Sequence, residues 1–118
     1  MTAGAEIRGM ADRFRGAPAQ AVELVRAATT KATLDTQTEA RRRAPVDTGY
    51  LRSSITVDLA QMGGDVVAGE VTAGANYAAY VENGTTRQSP QPFMRPALEA
   101  NAKPWGHAMR SIGLEVFQ

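Results

Sequence analysis

"RRRAPVDTGYLRSSITVDLA", residues 41–60, is where the chain changes character. Before it, residues 19–43 contain neither glycine nor proline; after it, apolar and polar residues alternate. Proline disfavours helical geometry at the residue before it and cannot continue a helix. A long helix opening at Pro18 and closing before Pro45 is therefore predicted. Arg41, Arg42 and Arg43 fall in its last turn, where cations complement the exposed carbonyls, and Glu39 lies one helical turn before Arg43. Asp47 can accept hydrogen bonds from backbone amides two residues on, and Gly49 permits a positive φ. On local physics Asp47 turns the chain from helix into strand.

Working outward, the helix carries an inward stripe of Ala21, Leu24, Val25, Ala28, Ala32, Leu34 and Thr36, mostly small side chains that allow close approach to a sheet or another helix. Spanning 18–43 it would be about 39 Å long, more than a small domain needs, and its end is expected to project toward a partner. In "LRSSITVDLA" Ser53, Ile55, Val57 and Leu59 share one face of a half-buried strand, with Ser54, Thr56 and Asp58 on the other. Met62-Gly63-Gly64-Asp65 supplies a turn, and "VVAGEVTAG" returns with Val67, Gly69, Val71 and Ala73 on one face. An antiparallel hairpin follows, which is marginal alone and must pack on the helix.

"NYAAYVENG" reads as a short helical segment, with Tyr77, Tyr80 and Val81 at helical spacing and Asn83-Gly84 as its stop. "TTRQSPQP" is a loop. Pro96 fits the first turn of another helix, which Pro104 breaks or restarts. The remainder either continues as a helix with Trp105, Met109, Ile112 and Val116 on one side or ends as a strand in "GLEVF"; periodicity leaves both open. Residues 1–17, interrupted by Gly4, Gly9 and Gly16, read as a flexible arm that orders on docking, and 18–118 as a single α+β domain.

Composition bounds the chemistry. The 118 residues suit one domain; 43% hydrophobic and 21% charged residues are ordinary for a globular protein. A net charge of +1 argues against a chain whose main task is neutralising nucleic acid. With no cysteine and one histidine, His107, thiolate zinc sites, disulfides and histidine-rich metal sites are excluded, and no residue pattern nominates a cofactor. No apolar run approaches the ~20 residues a membrane helix needs, and no signal-peptide core opens the chain, so residence in a cytoplasm is expected.

Two chemical readings compete with the bland ones. Asp47-Thr48-Gly49 matches the triplet of aspartic proteases, and homodimerisation could supply the second carboxylate. That triplet follows a buried strand in such enzymes, whereas here it follows three arginines and a proline, with Tyr50 and Arg52 after it. Tyr77, Tyr80 and Phe93 near Arg87 and Arg95 could stack the bases of a single strand. Core packing with an amphipathic rim accounts for the same residues. Gly63-Gly64 is more simply a turn than an anion nest, and Glu82 and Glu99 read as solvated or paired carboxylates rather than a catalytic pair.

"RRAPVDTGYLRSSI", the hairpin, "YAAYVENGT" and "PQPFMRPALEA", in this order, resemble the family of tailed-phage proteins named after gene ten of phage Hong Kong 97, over about residues 20–100. The matching positions are Pro45, Asp47, Thr48, Gly49 and Leu51, then Tyr77, Ala78, Val81, Glu82 and Gly84, then Pro92, Phe93 and Pro96. The resemblance implies an α+β fold, a long N-terminal helix packed on a small, mainly antiparallel sheet with a C-terminal helical segment. It implies a non-enzymatic structural protein of the head-tail connector, or neck, of a long-tailed phage, acting in tail completion or head-tail joining, alternatively as the terminator capping the tail tube. It further implies a homo-oligomeric ring of six copies in contact with other neck and tail proteins, with only passive contact with DNA in the channel. Its place would be the virion, after assembly in the host cytoplasm.

In that family these positions mostly define the fold. A head-to-tail ring needs two unlike faces per subunit. Arg41, Arg42 and Arg43, with Glu82, Arg87 and Gln88 of "ENGTTRQSPQP", are the interface candidates. The rival readings separate cheaply. A dimeric protease predicts acid-favoured peptide cleavage abolished by Asp47→Asn, and a nucleic-acid binder predicts affinity falling steeply with salt. The turn reading predicts that Asp47→Asn, which keeps a turn-forming side chain, leaves thermal unfolding unchanged.

Overall fold

The helix closed by Pro45 spans Ala19–Arg43 (α1) in a computed structural model, which describes Thr2–Ala3 and residues 19–46, 49–62 and 66–117. The Ala44 amide donates to the Ala40 carbonyl at 2.9 Å, the last helical bond before the proline. Along α1 the buried positions are Val25, Thr29, Ala32, Thr33, Thr36 and Ala40, with Ala44 just beyond. Of the predicted stripe, Val25, Ala32 and Thr36 face inward and Ala28 is partly covered, but Leu24 and Leu34 are 44% and 43% exposed. Threonines take the places expected of leucines. The Thr33 hydroxyl donates to the Thr29 carbonyl and that of Thr36 to Ala32, both at 2.7 Å. Bonded back to their own helix, these hydroxyls enter the core satisfied.

The turn out of α1 differs from the expected direct entry into a strand. Asp47 and Thr48 lie outside the described residues. Gly49 has φ 83°, a left-handed conformation, and Tyr50–Ser53 form one helical turn (α2) before β2 (Ile55–Met62) begins. The Ser53 and Ser54 hydroxyls donate to the Tyr50 and Leu51 carbonyls at 3.0 and 2.7 Å. This local bonding explains why residues that alternate like a strand coil instead.

β2 pairs antiparallel with β3 (Val66–Ala73), in register from Ile55↔Ala73 to Met62↔Val66. The turn expected at Gly63–Asp65 falls outside the described residues. Thr2–Ala3 (β1) adds to the far side of β3 opposite Thr72 and Val71, giving the order β1-β3-β2. β1 belongs to the stretch read as an arm, the rest of which lies outside the described residues. A short helix, α3 (Ala78–Asn83), and a long one, α4 (Met94–Phe117), complete an α+β fold. The choice left open at the C-terminus resolves to helix, and Pro104 sits inside α4 without ending it. Pro104 and Ala100 are both exposed, so the carbonyl that loses its partner faces water.

Two buried clusters divide α1 between them. Ala40 and Ala44 join Leu51, Ile55, Val71, Ala73, Phe93 and Ala97, while Val25 and Ala32 join Trp105, Met109 and Ile112 of α4. Rising numbers on α1 meet falling numbers on α4, so the two helices run antiparallel. The Trp105 indole donates to the Thr29 hydroxyl at 3.0 Å, tying them at mid-length. Because α4 runs back along α1 and the sheet covers only one part of that helix pair, the molecule is elongated, 52 × 21 × 20 Å. The arginine end of α1 does not project free: Arg41 and Gln37 donate to the Ile55 carbonyl at 2.9 and 3.0 Å, and Arg52 Nε donates to the Arg41 carbonyl at 3.1 Å.

α1 and the sheet approach closely at Gly69. A Cβ there would stand 1.8 Å from Thr33 Oγ1 and 3.0 Å from Thr33 Cβ. Gly69→Ala is expected to destabilise the fold by about 1–3 kcal/mol, the usual cost of overpacking. Adding Thr33→Ala, which removes the clashing hydroxyl, should recover part of that loss in denaturant unfolding.

Candidate functional site

The sequence motifs converge on one open cleft of about 640 Å³ at the end of the molecule where α1 stops. Pro45, Gly49 and Leu51 line it from the first motif, Tyr77 and Val81 from the second, and Gln91, next to Pro92, from the approach to the third. Leu51, Ala78 and Phe93 are buried beneath it in the main core. Pro92 is exposed and Pro96 lies half-buried in the first turns of α4, as its geometry favours.

Above this buried layer the cleft wall is aromatic and open. The Tyr50 and Tyr77 rings stand 6.2 Å apart between centroids at 39°, a tilted pair. Of the lining residues Tyr50 is 51% and Val46 54% exposed; Tyr80, outside the lining, is 63% exposed. The cluster read from sequence thus splits: Phe93 is core, whereas Tyr77 and Tyr80 face solvent. Val81, next to Tyr80, packs partly against the core and turns the tyrosines outward.

Glu82 has the most definite role. It is buried, and Oε1 accepts from the amides of Phe93 and Met94 at 3.0 and 2.9 Å while Oε2 accepts from Arg95 at 3.1 Å. These amides open α4, where the first N–H groups of any helix lack partners and carry partial positive charge. A carboxylate from α3 does what a local capping residue does elsewhere. Glu82 was named both as a motif position and as an interface candidate; with its oxygens turned inward onto amides, it is placed with the fold. Gly84 completes the corner with φ 77° and ψ 173°, a combination reserved for glycine. A Cβ there would stand 2.8 Å from Pro90 N and 2.9 Å from the Gln88 carbonyl oxygen. The following loop closes through Thr85 N to Gln88 O at 2.9 Å and Gln91 N to Val81 O at 2.8 Å.

The arginine candidates also separate. Arg41 is half-buried against β2, as described. Arg42 and Arg43 are exposed and both engage Glu39, Arg43 Nε at 3.3 Å. The hydrogen bond from Arg42, more than the charge of the two arginines, holds the Glu39 carboxyl below its ordinary pKa. This stabilisation is present at neutral pH and is lost as pH falls through the depressed value. Arg87 and Gln88 are exposed in the loop, with Gln88 lining the cleft. Among the described residues no three of His, Asp and Glu come together as a metal site, and Asp47, on which the protease reading depends, lies outside them.

The family model described as "Bacteriophage HK97-gp10, putative tail-component" matches residues 8–84, more than half of the chain. No curated protein and no solved structure gives a match. The matched region runs through α1, the hairpin and α3 and stops at Gly84, leaving α4 and the third motif beyond it.

Glu82 therefore holds the start of α4 to the matched region, as Thr29 holds its middle through Trp105. Glu82→Gln, which keeps the shape but loses the charge and turns a donor toward the amides, is expected to cost about 1–3 kcal/mol of stability. Gly84→Ala should cost about as much through strain at its backbone conformation. Thermal unfolding of the purified chain checks both.

Proposed function

Because the chain belongs to the HK97-gp10-like family of bacteriophage tail components, we propose that it is a structural protein of the virion that completes the tail or joins it to the head. The family match carries this reading. The elongated subunit supports it, since one end presents an open aromatic cleft and the other half is a helix pair sealed by its own packing. Unlike ends of this kind suit head-to-tail association, which closes into a ring when the rotation between neighbours allows. In this proposal the working form is a ring in the neck of a long-tailed phage, of six copies, touching other neck and tail proteins and meeting DNA only passively.

Its role in this proposal is scaffolding and not catalysis: the motif residues hold the corner between α1, the hairpin and α4, and the exposed Arg42, Arg43, Arg87 and Gln88 meet neighbours. Assembly would take place in the host cytoplasm. No helix among the described residues is long and apolar enough to cross a membrane.

The test is electron microscopy of lysates from the phage lacking this chain, with and without the chain supplied in trans. Filled heads separate from tails, or unfinished tails, are expected without it, and joined particles with it. Finished but unjoined tails would assign it to joining; tails of uncontrolled length would assign it to the terminator position. Intact virions in its absence would overturn the proposal. Supplying Asp47→Asn should restore joined particles as well as the native chain does.

A further inference from the structure

β2 is the edge of the described sheet. In the order β1-β3-β2 it has β3 on one side, and among the described residues no strand lies on the other. The Gly74 amide donates to the Ser54 carbonyl at 3.0 Å, so Thr56, Asp58 and Ala60 turn their backbone groups to β3 and the alternate residues turn theirs outward. Gln37 and Arg41 cover the first outward carbonyl, that of Ile55. Val57, Leu59 and Gln61 follow it and present their amides and carbonyls along the open edge.

The devices that blunt such edges are missing. Ile55–Met62 contains no proline, lysine or arginine, its register with β3 runs without a bulge, and Asp58 is its one charge. Leu59 stands opposite Gly69, which abuts Thr33, so its side chain rises on the α1 side of the sheet, where it is exposed. Leu34, also exposed, precedes Gln37 by one turn on the flank of α1 that reaches over to this edge. Two leucines thus flank the open strand.

The edge fits a second copy of itself. Antiparallel pairing about a two-fold axis through Leu59 sets Val57 against Gln61 and uses all three outward residues of each strand. Asp58 then stands opposite Ala60. A shift of one residue toward Ile55 would set Asp58 against Asp58 and require the carbonyl that Gln37 and Arg41 already hold. The helices agree in charge as well. Because Leu59 pairs with Gly69, the axis passes near Thr33, and the two α1 helices run antiparallel on one sheet face with Lys31 of each alongside Asp35 of the other. Lys31 and Asp35 also pair within each helix, so the four charges alternate in sign.

We propose that two free copies of this chain pair β2 to β2, joining their three-stranded sheets into one of six strands. The contact is isologous and shares no residue with the cleft; it goes beyond the head-to-tail ring and does not rest on it.

Sedimentation of the purified chain tests this, and a dimer is expected. Leu59→Lys and Leu59→Glu, each opposing like charges across the axis, should weaken the dimer about a hundredfold, and an equal mixture of the two should restore it. Leu59→Cys sets thiols on Cα atoms about 5.5 Å apart, within disulfide reach, and should oxidise to a covalent dimer and no larger species in this otherwise cysteine-free chain. A monomeric native chain, a dimer indifferent to both charges, a mixture that stays apart, or a Leu59→Cys chain that oxidises no faster than Tyr80→Cys overturns the proposal. None of these outcomes bears on the role in the virion, which complementation of the phage tests separately.

Discussion

The three hydrogen bonds from the Phe93, Met94 and Arg95 amides to Glu82 determine where the second long helix begins and in which direction it leaves the corner. An uncapped helix start buried against a core would leave amide donors without water or partner, at about 1–3 kcal/mol each. Here the sequence before α4, Gln91-Pro92-Phe93, offers no Ser, Thr, Asp or Asn to do the work locally. With the start fixed, α4 runs back along α1, and Trp105, Met109 and Ile112 arrive opposite Val25, Thr29 and Ala32. The corner at Gly84 and the cleft above it are consequences of the same geometry, because the loop from Thr85 to Gln91 has to bring Phe93 back beneath Glu82.

Much of this architecture is readable in sequence where the signal is local. The glycine-free run, Pro45 and the arginines at 41–43 give α1 its ends; alternation gives the faces of β3; Asn83-Gly84 ends α3. The failures share a cause as well. Helical spacing puts Leu24 and Leu34 in the inward stripe, but α1 lies close to a glycine on β3 and to an indole on α4. At such distances Thr29 and Thr33 fit where leucine would not. The Thr33 hydroxyl is satisfied by its i−4 carbonyl and that of Thr29 accepts from the Trp105 indole, bonds that a hydropathy pattern does not register. Leu51–Ser54 alternate like a strand but coil, because serine hydroxyls compete for the backbone.

The site is less legible for the same physical reason. That Glu82 is a motif position can be read from the chain; that it caps a helix beginning twelve residues later requires the fold, since nothing periodic links the two. The sequence equally supports Phe93 beside Tyr77 and Tyr80 as one aromatic cluster, and only packing separates a core ring from two exposed ones. Asp47, the residue with the most suggestive neighbours in sequence, lies outside the described residues.

α1 enters both buried clusters, and its hydrogen-bonded backbone runs through them without a break from Ala19 to Arg43. Mechanically it is a strut. A push on its arginine end passes along the helix axis to the pairing with α4, with no loop in between to absorb the displacement. The hairpin, fastened to the strut at Gln37, Arg41 and Gly69, is carried along with it and does not shear across it. Strut and hairpin answer a load as one stiff unit.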